Sequence, residues 1–245
     1  MQAAVGSHCL ECAKAARPDV RTRARFWNAR QPALVTSAII AVNVLVFVAG
    51  VVADPGSIGG RITQIHLDLA LNEQFLQIDH EWYRLITSGF LHYGIIHLGF
   101  NMYLLYMLGQ MLEPTLGRIR FGLVYLASLL GGSLGVLLID PNSLTAGASG
   151  AVFGLMGLVF VGIYLHGANP MSSSIGTLLM INLFLTFMLR GSISVGGHLG
   201  GAAAGAICAL VVMAPAYRNI PRWATFAAPA VVSIVCVVAS VMIVG

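Results

Sequence analysis

Three short stretches of this chain combine residue types that do chemistry with positions where lipid-facing protein ought to be inert. They are His92-Tyr-Gly-Ile-Ile-His97-Leu-Gly-Phe-Asn101, Gly147-Ala-Ser149-Gly150 and Gly196-Gly-His198-Leu-Gly-Gly201, and each stands at the start of a long apolar run. Ionisable and amide side chains cost about 2.5 kcal/mol or more at the centre of a bilayer, so their presence there points to function. A serine hydroxyl is a weak nucleophile until a base takes its proton, and imidazole is the side chain best suited to that task near neutral pH. Ser149 and His198 therefore form a candidate nucleophile and base. Attack on a carbonyl also creates an oxyanion, which needs donors already in place; His97, Asn101 and the backbone N–H groups at the Gly147–Ser149 helix start are the candidates.

Helix periodicity makes these groups converge. Residues four apart share a helix face, so His97 projects with Asn101, Ser149 lies one turn from Phe153, and His198 shares a stripe with Gly201 and Gly205. The pairs Gly150/Gly154 and Gly201/Gly205 are G-x-x-x-G spacings that let helix backbones approach closely in lipid. Close approach would bring Ser149 to His198, with the Phe153 ring beneath the imidazole. With no acidic side chain inside a span to orient His198, and Asp140 in a loop, the chemistry reads as a dyad.

The elements that must position these groups are membrane helices. The chain is 58% hydrophobic and 9% charged, which excludes an ordinary soluble domain. Seven apolar stretches approach the roughly 20 residues a span requires: Leu34–Ala53, Gly94–Leu112, Phe121–Ile139, Ala148–Leu165, Ser172–Leu189, Gly196–Ala214 and Ala224–Val244. The expected fold is an all-α polytopic bundle. The fifth stretch is the weakest, since it carries Thr177, Asn182 and Thr186. With the N-terminus in the cytoplasm, ten of the 13 Lys and Arg residues fall on the inner side, leaving Arg61, Arg84 and Arg190 outside. The positive-inside rule thus predicts a cytoplasmic N-terminus, an external C-terminus, and all three polar groups at the outer face.

The first 33 residues read as a basic cytoplasmic tail with no cleavable signal, and the first span as an uncleaved anchor. The tail carries Lys14, Arg17, Arg21, Arg23, Arg25 and Arg30 without interleaved aromatics, so nucleic-acid binding is not expected. His8, Cys9 and Cys12 supply too few ligands for a complete zinc site, and Cys208 and Cys236 lie within spans, so neither a metal nor a disulfide framework is expected. The loop from Asp54 to Leu91 is long and mixed in character; Trp82, Tyr83 and Arg84 suit the headgroup layer.

Four motifs, in order, resemble the rhomboid family of intramembrane serine proteases: Glu81-Trp82-Tyr83-Arg84, then His92, His97 and Asn101 in H-x4-H-x3-N, then Gly147 to Gly150 as G-x-S-G, and His198, Gly201 and Gly205 as H-x2-G-x3-G. Glu113 followed by Gly117 and Arg118 is a further similar element, read as structural through helix-end charge interactions. The resemblance implies a six-helix catalytic core over residues 34–214 and a linker with a seventh helix over 215–245. It implies Ser149 as nucleophile, His198 as general base and then acid, and His97, Asn101, Gly147 and the Ser149 N–H around the oxyanion. Phe153, His92, Arg84, Gly201 and Gly205 would be supporting residues, His92 at the loop–helix junction. Transmembrane protein substrates and the lipid bilayer are the implied partners, no cofactor is required, and the fifth helix resembles the family's gating helix. Composition suits a bacterial inner membrane. Two departures stand out: Phe153 replaces the tyrosine of many relatives, and Trp82-Tyr83-Arg84 separates Trp from Arg. Two other readings are a non-proteolytic rhomboid-like protein that binds membrane segments, and a small transporter, although the halves show no repeat.

Overall fold

A computed structural model describes residues 33–245, and all described residues with regular structure are helical. Among the described residues ten α-helices run in chain order: α1 (Leu34–Ala53), α2 (Gln64–Leu69), α3 (Glu73–Asp79), α4 (Arg84–Thr87), α5 (Ile95–Leu116), α6 (Arg118–Ile139), α7 (Ser149–Leu165), α8 (Ser174–Met188), α9 (Val195–Val212) and α10 (Ala224–Val244). Five of them, α1, α5, α6, α9 and α10, are long and apolar enough to cross a membrane. The helices α7 and α8 are shorter, at 17 and 15 residues. At 1.5 Å per residue α7 reaches about 26 Å, short of a hydrocarbon core of about 30 Å. Its serine end is thus free to lie below the level of longer neighbours.

Helix starts follow local chemistry: α1 and α10 begin where predicted, and the other five long helices begin within one to three residues of the prediction. Ser173 caps α8 by accepting from the Gly176 N–H (3.0 Å), so the helix begins after a 3₁₀ turn at Pro170–Ser172. Ser194 caps α9 through the Gly197 N–H (2.9 Å). The α5 helix runs past the predicted Leu112 to Leu116 with Pro114 inside it. Its Glu113 carboxylate, itself buried, accepts from the Val35 and Thr36 N–H groups and the Thr36 hydroxyl at 2.8–2.9 Å. A side chain from α5 therefore caps the start of α1, satisfying donors that a helix end leaves open.

The centre of the bundle is α6, α7 and α9, packed through glycines. Gly196 and Gly200 of α9 face Gly135 and Gly131 of α6, while Gly201 and Gly205 face Gly150 and Gly154 of α7; a methyl group added at Gly196, Gly200, Gly201 or Gly205 would strike backbone of the partner helix. Without water to drive apolar association, such close backbone packing is what holds membrane helices together. Outer helices show the complementary pattern. On α10 the buried residues are Pro229, Ser233, Cys236, Ser240 and Val244, and its large apolar residues, among them Ile234, Val238 and Met242, face outward.

The loop from α1 to α5 is folded, with α2, α3 and α4 wrapped around buried Arg84. Its guanidinium donates to the Leu67 and Ala70 carbonyls (2.7 and 2.8 Å) and to Glu81 (2.6 Å), and lies 4.2 Å from the centre of the Phe75 ring. Leu71, just beyond, exchanges two backbone hydrogen bonds with Thr145 (2.8 and 2.9 Å). The loop thereby grips the segment that leads into Ser149.

Candidate active site

Ser149 is the first residue of α7, with Ala148 as its cap. The first intrahelical bond runs from the Val152 N–H to the Ala148 carbonyl (3.0 Å), so the N–H groups of Ser149, Gly150 and Ala151 precede the helical ladder. The approach to this helix end is held at three points: the Leu71–Thr145 bridge, the Tyr93 hydroxyl on the Leu144 carbonyl (2.8 Å), and the Gly147 N–H on the Ser88 carbonyl (2.9 Å). Gly147 has φ +136°, a conformation that L side chains rarely adopt. It also leaves a gap: the point a Cβ would occupy is 2.9 Å from His97 Nε2 and 3.7 Å from Ser149 Oγ. Space, and not its engaged N–H, is what Gly147 contributes between those two atoms.

The tautomer of His97 follows from its neighbours. The Tyr93 N–H donates to His97 Nδ1 (3.3 Å), so the neutral ring carries its proton on Nε2, the atom facing the gap. Asn101 is buried and uses one amide hydrogen on the His97 carbonyl (2.9 Å), which leaves a second N–H on the same nitrogen. His97 packs against aromatic rings: Tyr93 lies parallel at 6.4 Å and His92 edge-on at 5.0 Å, and His66 in turn stacks on Tyr93 at 4.9 Å. His92, in the turn before α5 and buried, accepts weakly from the Ala148 N–H (3.5 Å). It sits under the serine segment, off the face shared by His97 and Asn101.

His198 lies in the first turn of α9 and is buried. Its ring stacks on Phe153 with centroids 3.9 Å apart and planes 17° from parallel. Phe153 is one turn from Ser149 on α7, so the stack places the imidazole beside the serine's own helix face. The start of α9 is further tied down by Asp140, whose carboxylate accepts from the Ser194 hydroxyl and the Gly196 N–H, both at 2.7 Å. Asp140 thus secures the helix that carries the histidine.

One contact was not visible from sequence spacing: the Thr186 hydroxyl of α8 lies 2.7 Å from His198 Nδ1. Thr186 and Asn182 read in the sequence only as polar residues weakening the fifth span. The signal that could have found them is their spacing of four, which puts two polar groups on one face of a lipid-exposed helix.

Ser149, His198, His97, Asn101, Gly147 and Phe153 all line one cavity of about 660 Å³. Asn182, Leu185 and Thr186 of α8, with Leu189 just after it, form part of its wall. Arg84, Gly201 and Gly205 stand away from it, the first inside the folded loop and the glycines in the α7–α9 contact. His8, Cys9 and Cys12 fall outside the described residues.

A family model described as "Rhomboid domain" matches residues 79–215, more than half of the chain and all of the cavity-lining helices α5 to α9. The chain belongs to the rhomboid family. It is 34% identical over 161 residues to rhomboid protease GluP of Bacillus subtilis, covering 64% of this chain and 31% of that protein. It is 33% identical over 169 residues to RHOMBOID-like protein 1 of Arabidopsis thaliana (65% and 43%), and 36% identical over 138 residues to rhomboid-type serine protease 2 of Emericella nidulans (54% and 27%). The chain thus spans less than half the length of these relatives. Family membership and its apolar helices make it a multi-pass integral membrane protein.

Proposed function

We propose that this rhomboid is an intramembrane serine endopeptidase that cleaves transmembrane segments near the outer membrane face. The observation that carries this reading is the shared cavity into which α7 brings Ser149, α9 brings His198 and α5 brings His97 and Asn101. The names of GluP and of the Emericella protease support it by similarity.

Ser149 Oγ attacks the substrate carbonyl as its proton passes to His198 Nε2. The new C–O bond pushes the carbonyl electrons onto oxygen, and that oxyanion falls among the Ser149 N–H, His97 Nε2–H and the free Asn101 N–H. The gap left by Gly147 is where such an oxygen has room. Collapse breaks the C–N bond, and His198 returns its proton to the departing amine. Water then attacks the acyl-enzyme, giving its proton to His198, and release of the serine completes the cycle. A substrate helix must unwind to present its carbonyl, so Gly and Pro near the scissile bond favour cleavage. The α8 helix, with only Gly176, Leu179 and Thr186 of its 15 residues buried, is the side on which such a segment enters.

The distribution of Lys and Arg supports a cytoplasmic N-terminus and an external C-terminus, and the composition suits a bacterial plasma membrane. Residues 34–214 then form the catalytic core, with the basic tail before it and the α10 region after it. The test is cleavage of a single-span substrate by purified protein in lipid. Ser149→Ala and His198→Ala should each abolish it while the protein stays folded; cleavage persisting in Ser149→Ala would contradict the assignment.

A further inference from the structure

Resting on the proposed dyad, the hydrogen bonds around His198 point to a residue that takes the orienting role a carboxylate fills in a triad. Thr186 Oγ1 donates to the Asn182 carbonyl one turn back on α8 (2.7 Å). A hydroxyl has one proton to give. At its 2.7 Å contact with His198 Nδ1 it must therefore accept, and the ring must donate. The neutral imidazole is then protonated on Nδ1, leaving the Nε2 lone pair for the serine proton. We infer that Thr186 is a positioning residue that fixes the tautomer and the ring rotation of His198 through the chain His198 Nδ1–H to Thr186 Oγ1 to Asn182 carbonyl.

Three further observations agree. Thr186 is 1% exposed, although its neighbours Leu185 and Phe187 are 43% and 50% exposed, so the hydroxyl is turned inward on an outward-facing stretch of helix. Phe153 holds the ring by stacking and offers no polar atom of its own. Asp140, the acidic residue near this helix end, spends Oδ2 on the backbone and cap of α9. Because the acceptor rides on α8 and the base on α9, outward displacement of α8 takes the acceptor from the base, so the chemical step depends on the seating of α8.

The test uses the full chain in lipid, with Thr186→Val removing the hydroxyl at nearly constant shape and Thr186→Ser restoring it. Loss of one neutral hydrogen bond should lower kcat about tenfold in Thr186→Val. KM should stay within about twofold, and Thr186→Ser should recover most of the rate, because what is lost is orientation of the base and not substrate binding. A Thr186→Val enzyme with kcat within about twofold of the parent, or valine and serine variants slowed alike, would overturn the inference. Should the valine variant lose folded yield, ¹⁵N spectra of the His198 ring decide: protonation on Nδ1 in the parent and Thr186→Ser but mixed protonation in Thr186→Val supports it, and the same tautomer in all three overturns it. If Ser149→Ala still cleaves, the protease reading fails; if Ser149→Ala is dead and Thr186→Val is unaffected, only the role of Thr186 fails.

Discussion

The α9 and α8 helices both bear on His198, and they are built in opposite ways. The former is pressed between α6 and α7 through glycines so closely that the backbones leave no room for a methyl group. The latter exposes most of its apolar residues, including Phe184, Phe187 and Met188, and reaches His198 through the Thr186 hydroxyl. One helix fixes where the imidazole is. The other helps determine how the ring is oriented and is the more exposed wall of the cavity. Rigidity and access are thereby assigned to different elements, as the proposed entry of a helical substrate past α8 would require.

Breaking the rigid side should give the largest effects. Gly201→Val would drive a branched side chain into the Gly150 backbone and separate Ser149 from His198; loss of folded protein, or of at least about 3 kcal/mol of stability, is expected in thermal unfolding in detergent. Arg84→Ala comes next, because it strands the buried carbonyl of Ala70 and the partly buried one of Leu67 within the loop that grips the serine segment. It should cost about 2–3 kcal/mol and loosen the Leu71–Thr145 bridge, read as faster amide exchange at Thr145. Asp140→Ala removes the carboxylate that ties the start of α9 to the end of α6, for about 1–2 kcal/mol by the same thermal measurement.

Matching changes on the exposed side should be mild. Phe184→Ala on α8 removes a side chain that is 62% exposed, so a stability change within about 0.5 kcal/mol is expected. An effect as large as that of Asp140→Ala would mean that α8 is as firmly seated as α9. A smaller, pH-dependent effect belongs to the loop. The Tyr83 hydroxyl and then the Arg84 guanidinium hold the half-buried Glu81 carboxyl below its ordinary value of 4.5. A carboxylate lowered on folding stabilises the fold above its ordinary pKa, and that contribution fades as pH falls through the lowered one. Glu81→Gln should therefore flatten the acid side of the stability profile, its small loss of stability showing at neutral pH and vanishing as pH falls below about 4.5.

The sequence made legible whatever depends on spacing along one helix. His97 with Asn101, Ser149 with Phe153, and the glycine pairs each follow from a repeat of three or four residues, and the structure places them on shared faces. The apolar runs likewise located all seven longer helices to within a few residues. What spacing could not supply were bonds between distant elements: Thr186 on His198, Asp140 on the α9 cap, Glu113 on the α1 start, and the His66–Tyr93–His97 stack. Each joins residues whose partner is chosen by tertiary packing, so neither sequence neighbour signals the other. Asp140 illustrates the limit, since its place in a loop was evident and its bond to the Gly196 N–H, 56 positions later, was not.

The most direct measurement is to map covalent modification of the purified protein in lipid by a fluorophosphonate probe, using peptide mass spectrometry on the parent chain and on His198→Ala. An adduct on Ser149 in the parent that is lost in His198→Ala is the predicted result, because the hydroxyl needs that imidazole to become a nucleophile. An adduct elsewhere, or labelling of Ser149 undiminished without His198, would contradict the dyad on which the account is built.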